Sequence, residues 1–100
     1  MKKIQKLIDQ MHAGNTNTII NNIFSDIPII VMNAIMAGTK VGLTDPLFLE
    51  GVRNAEKNDA VLLGVPISKV ATASLHLLTD KKYSGDDIFI RKLIESEFIL

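Results

Sequence analysis

Apolar residues recur at helical spacing from the start of the chain. The first stripe follows the i, i+3, i+4, i+7 pattern of an amphipathic helix and comprises Ile4, Leu7, Ile8 and Met11. Gly14 comes directly after this stripe, where a left-handed residue commonly ends a helix. Asn15 to Asn17 then offer side chains that can cap the start of a second helix.

The next two helices are predicted from the same spacing. The inward positions of the second helix are Ile19, Ile20, Ile23 and Phe24. Ser25 or Asp26 is expected to cap the third, with Pro28 in its first turn, where no amide donor is needed. This helix is apolar on nearly every face as far as Ala37, so other elements must cover it on more than one side. Gly38 is expected to end it.

The second half of the chain also gives helical signals. Thr44-Asp45-Pro46 combines a cap with a first-turn proline, and a short helical piece is expected from Ala60 to Leu63, ending at Gly64. The clearest helix begins at Pro66. Its inward positions are Ile67, Val70, Ala71, Ser74, Leu77 and Leu78, and its outward positions are Ser68, Lys69, Thr72, His76 and Thr79. A last helix is expected to turn Ile90, Leu93 and Ile94 inward.

No segment alternates with a period of two, so the fold class is predicted to be all-α. Length places residues 1–100 in a single helical domain, and the hydrophobic fraction of 47% suffices for a packed core. The chain has no cysteine, and its amino-terminal segment lacks the continuous apolar stretch of a signal peptide. The longest apolar run, from Ile27 to Ala37, is too short to span a membrane. We therefore expect a cytoplasmic protein without a membrane partner.

Two segments about 40 residues apart resemble each other. Asp26-Ile-Pro-Ile-Ile-Val-Met-Asn-Ala34 and Val65-Pro-Ile-Ser-Lys-Val-Ala-Thr-Ala-Ser-Leu75 each place a proline at the start of an apolar helix. A period near 40 built from helix pairs is typical of HEAT and armadillo proteins. The chain thus resembles the HEAT/armadillo-like helical-repeat family. This resemblance implies a short right-handed α-α superhelix that binds a partner through one helix of each pair; a compact helical bundle is the alternative fold.

A different interpretation applies to residues 60–76. Ala60, Gly64, Val65 and Val70 fill the small, turn and apolar positions of a helix-turn-helix, which would make the protein a DNA-binding regulator. Charge argues against it. The chain holds 11 Lys and Arg against 11 Asp and Glu, and the second helix carries a single lysine, Lys69. Since phosphate neutralisation normally supplies most of the affinity, nucleic acid is the less favoured partner.

Candidate chemistry is sparse. The two histidines, His12 and His76, do not form an i, i+4 pair, and no metal-ligand or phosphate-loop motif occurs. Asp86 and Asp87 are better explained as acidic residues in a first helical turn. The sequence therefore predicts no enzyme activity, no metal and no cofactor.

Binding another protein is the leading functional hypothesis. The lack of a catalytic set, the neutral charge and the apolar end Phe98-Ile99-Leu100 suggest an inhibitor or immunity protein for one cognate partner. Candidate contacts are Ser68, Lys69, Thr72, His76 and Phe98; the simpler interpretation of the polar ones is a solvated helix face. A chain of this size buries only a modest fraction of the surface that its unfolded form exposes. A second copy, in a homodimer, would bury more surface and add stability.

Overall fold

A computed structural model of the protein describes residues 2–80. This part of the chain is mostly helical, which confirms the all-α prediction. The expected last helix and the apolar end with Phe98 lie outside the described residues. No helix within residues 2–80 combines the length and the hydrophobicity that a membrane span needs.

The first two helices meet at a glycine turn. Helix α1 runs over Lys2–His12 and α2 over Thr16–Asn22. Gly14 between them has a φ of +91°, the left-handed conformation predicted for it. The side chain of Asn15 caps α2 by accepting a hydrogen bond from the Thr18 amide at 3.1 Å. Phe24, predicted to point inward after α2, is instead 45% exposed.

Helix α3 spans Pro28–Lys40 and forms the centre of the core. Every residue from Ile30 to Gly38 is buried, which confirms that this helix must be covered on several sides. The prediction that Gly38 ends the helix is wrong. A Cβ atom at this position would lie closer than 3.0 Å to the ring of Phe48, so Gly38 allows a large side chain to reach the α3 backbone.

Helix α4 spans Pro46–Ala55 and begins as predicted. The Asp45 carboxylate accepts a hydrogen bond from the Leu47 amide at 2.9 Å, and Pro46 occupies the first turn. Gly51 in the middle of α4 faces Ile23, whose side chain occupies the space where a Cβ would lie. Two helix-interior glycines thus set how closely α4 packs: Gly38 on α3 and Gly51 on α4 itself.

The predicted helix at residues 60–63 is wrong, because a β-hairpin occupies this segment. Strand β1, Val61–Leu62, pairs antiparallel with β2, Val65–Pro66. The hairpin takes the place of the first helix of a helix-turn-helix, so the described residues 60–76 do not form that motif. Apolar runs this short do not distinguish a strand from a helix by their spacing.

Helix α5, Ile67–Leu75, continues into a π-helical turn, His76–Asp80. Its predicted inward face is confirmed: Ile67, Val70, Ala71 and Ser74 are buried. The principal helix contacts join α3 to α1, α2, α4 and α5, and also join α1 to α2, α2 to α4 and α4 to α5. The core therefore surrounds α3, and the hairpin lies between α4 and α5 in the chain.

Candidate functional site

The hairpin turn is the most unusual backbone feature of the described chain. Leu62 pairs with Val65, so Leu63 and Gly64 alone form the loop. Their φ values are +51° and +80°, and positive values at both central residues define a type I′ turn. Asn-Gly or Gly-Gly normally fills such a turn, since a left-handed conformation costs other L-residues roughly 1–2 kcal/mol. Leu63 is the one non-glycine residue with a positive φ within residues 2–80.

The same leucine is also the most exposed large apolar side chain of the described residues. Leu63 is 72% exposed and Val61 is 56% exposed, whereas Leu62 and Val65 turn toward the core. This alternation follows from the two-residue period of a strand. The hairpin therefore presents two apolar side chains to solvent, one of them on a strained backbone, and gains little burial from either.

Proline defines which edge of the hairpin can pair further. The Ile67 amide donates to the Ala60 carbonyl at 3.0 Å, so hydrogen-bonded pairs lie on either side of the Val61–Pro66 pair. The polar backbone groups of this middle pair consequently face away from the ladder. Pro66 has no amide hydrogen to offer there, whereas Val61 has both a donor and an acceptor. The outer edge of β1 is thus the edge open to a partner.

The polar strip predicted on α5 lies beside this hairpin in sequence and has the predicted exposure. Lys69, Thr72 and His76 are exposed, and Ser68 is half-buried. Thr72 is engaged within the fold, because its hydroxyl lies 2.9 Å from Glu56 Oε2 and 3.0 Å from the Ser68 carbonyl. The remaining predicted contact, Phe98, lies outside the described residues. We call Val61, Leu63, Ser68, Lys69, Thr72 and His76 the hairpin–α5 surface.

A cleft of about 170 Å³ opens between the α2–α3 turn and the carboxyl-terminal end of α4. Its lining comprises Ile23, Phe24, Ser25, Asp26, Val31, Gly51, Asn54, Ala55 and Asn58. Asn58 also accepts a hydrogen bond from the Ala60 amide at 2.9 Å, at the base of β1. The cleft therefore adjoins the foot of the hairpin. Sequence reasoning did not find it, because its walls come from three separate helical segments.

A second arrangement that sequence reasoning missed joins α1 to α3. Asn33 is fully buried; its amide donates to the Ile29 carbonyl at 2.8 Å, and its Oδ1 lies 2.8 Å from His12 Nε2. Lys40 Nζ lies 3.2 Å from His12 Nδ1. One signal was present in the sequence: Asn33 is the single polar residue inside the apolar run 27–37. The network satisfies a polar group that would otherwise be unpaired in the core.

Within residues 2–80, no three His, Cys, Asp or Glu side chains stand close enough to share a metal ion. Comparison with protein-family models, with curated proteins and with solved structures found no match to this chain. The hairpin–α5 surface and the cleft at the foot of the hairpin are the two candidate binding surfaces of the described residues.

Proposed function

We propose that the protein is a non-catalytic binding module that recognises another protein through the hairpin–α5 surface. The conformation and exposure of Leu63 carry this proposal. A side chain that strains its backbone and stays in water lowers the stability of the free protein, and such costs are retained mainly where function needs them. Exposed apolar side chains with a polar surround are typical of protein interfaces.

The chemistry of this surface favours protein over nucleic acid. Val61 and Leu63 have no side-chain donor for a base or a phosphate. Lys69 is the only lysine or arginine between residues 60 and 79, so the surface lacks the several cations that phosphate binding requires. The exposed apolar side chains of the hairpin, and the polar side chains of α5 that follow it in the chain, are instead of the kinds that form the centre and the rim of a protein interface.

The helical-repeat architecture is part of the same proposal. It is supported by the pattern of principal helix contacts, which join only helices that are neighbours or next-neighbours in chain order. This pattern is typical of stacked helix pairs, in which each unit contacts only adjacent units. In that arrangement α2–α3 and α4–α5 are the two pairs, and the hairpin is an insertion between the helices of the second pair.

As a specific form of this function, we propose an inhibitor or immunity protein for one cognate partner. Its test is Leu63→Asn, which keeps the turn and removes the apolar side chain. Asn-Gly is the preferred type I′ dipeptide, so the variant should be more stable by about 1 kcal/mol in urea denaturation. Affinity capture with the variant should recover at least about tenfold less of the dominant partner, because an anchor side chain typically contributes over 1.4 kcal/mol.

Leu47→Asn is the matched control. Leu47 is also an exposed leucine, at 49%. It lies in the first turn of α4, roughly 12 Å from the carboxyl-terminal end of that helix, after which the chain continues to the hairpin. The Leu47→Asn variant should capture the same partner as the unaltered chain. Adding either of these two forms to the purified partner should lower the activity of the partner. Equal capture by Leu63→Asn, or no partner captured by any form, would contradict the proposal.

A further inference from the structure

The cleft at the foot of the hairpin owes its shape to small residues on α4. Gly51 and Ala55 lie one turn apart, and with the side chains of Ile23 and Val31 they form the floor of the cleft; all four residues are buried. Gly51 cannot carry a side chain, because a Cβ would overlap Ile23. The volume of about 170 Å³ corresponds to roughly six water molecules, which is room for one long side chain and not for a cofactor.

The rim of the cleft is polar and carries one charge. Asp26 is exposed and has no hydrogen-bond or ion-pair partner among residues 2–80. Asn54 and Asn58 add amide groups, and the ring of Phe24 stands at the edge, 45% exposed. Among residues 2–80, no lysine, arginine or histidine lines the cleft. The electrostatics of the site therefore favour a cation and disfavour a phosphate or carboxylate.

We propose that this cleft receives one arginine side chain of the protein partner. The Asp26 carboxylate would pair with the guanidinium group, and Phe24 would offer its ring to the planar cation. Arginine fits better than lysine because the guanidinium is weakly hydrated, forms paired hydrogen bonds with a carboxylate and stacks on aromatic rings. This inference rests on the proposed function, which supplies the protein partner. Asn58, which lines the cleft, accepts a hydrogen bond from the Ala60 amide at the base of β1.

The cleft can be tested without knowing the partner. Titration of the ¹⁵N-labelled full chain with N-acetyl-arginine-N-methylamide should shift the amide signals of Asp26, Gly51, Asn54 and Asn58. A compound of this size is expected to bind with a dissociation constant on the order of millimolar. The citrulline analogue has nearly the same shape but no charge. It should bind at least about tenfold more weakly, because the charge-assisted pair is lost.

Two variants locate the binding. Asp26→Asn should weaken arginine binding by about tenfold, and Asn54→Lys should oppose it by placing a second positive charge at the exposed mouth of the cleft. Asp9→Asn makes the same charge change on the exposed face of α1 and should leave binding unchanged. Equal binding of citrulline, or arginine shifts that persist in both cleft variants, would overturn the inference. Absence of any shift on titration with the arginine compound would also overturn the inference. Loss of partner capture in Leu63→Asn would still support the proposed function in that case, so the two proposals can fail separately.

Discussion

At the scale of single residues, the contacts of Asn33 determine which nitrogen of the neighbouring His12 ring carries the hydrogen. Its amide nitrogen is used by the Ile29 carbonyl, which leaves Oδ1 facing His12 Nε2. An amide oxygen only accepts, so Nε2 must carry the hydrogen. The Lys40 ammonium group only donates, and it faces Nδ1, which must therefore accept. Both neighbours select the same neutral tautomer.

We predict that neutral His12 is held as the Nε2–H tautomer. A long-range ¹H–¹⁵N correlation spectrum should show a protonated Nε2 and an unprotonated Nδ1 for this ring. Asn33→Leu combined with Lys40→Ala removes the partners of both ring nitrogens and should shift the spectrum toward a mixture of tautomers. A predominant Nδ1–H form in the unaltered chain would show that the ring or the Asn33 amide is oriented differently.

At the scale of elements, glycine ends one helix of this fold and permits close packing inside another. Gly14 ends α1 through its left-handed backbone. Gly38 lies inside α3, and the ring of Phe48 occupies the space where a Cβ atom of residue 38 would lie. Alanine inside a helix normally adds about 1 kcal/mol of stability relative to glycine. At Gly38 we expect alanine to lower the stability instead, because its methyl group overlaps the fully buried ring of Phe48.

We predict that Gly38→Ala lowers the free energy of unfolding by about 1–3 kcal/mol. Urea denaturation followed by circular dichroism measures this change. Phe48→Leu in the same chain shortens the opposing side chain, so the double variant should be more stable than the sum of the two single changes predicts. Strict additivity would mean that the two residues do not meet as the structure shows.

These elements also show what the sequence can and cannot reveal. The starts of α3 and α4 are predicted correctly, because a first-turn proline acts locally. The predicted cap is confirmed at Asp45 but is wrong for α3, whose N-cap is Ile27, without a side-chain hydrogen bond. The hairpin was missed because two-residue strands are too short to show alternation, and because Leu63 is not a residue that typically marks its turn. The exposure of Lys69, Thr72 and His76 follows from helical period alone. The Asp26 cleft and the His12–Asn33 pair depend on contacts between distant segments, which periodicity does not specify.

At the scale of the whole molecule, α3 is the element on which the others depend. Helices α1, α2, α4 and α5 all contact it, while the hairpin presents its outer side chains to solvent. Opening of α3 therefore exposes most of the buried core, whereas opening of the hairpin exposes little. Because local opening free energies follow the burial that is lost, stability should differ strongly between these elements.

We predict that native-state hydrogen exchange orders the elements accordingly. Amides of α3 between Val31 and Ala37 should exchange most slowly, through an opening close to global unfolding. The Ile67 amide, which bonds across the hairpin to Ala60, should exchange at least about tenfold faster, through local opening. In a stack of helix pairs, α1 should also open before α3, because it contacts fewer neighbours. If α1, the hairpin and α3 shared one exchange free energy, residues 2–80 would unfold as a single cooperative unit, which would contradict this prediction.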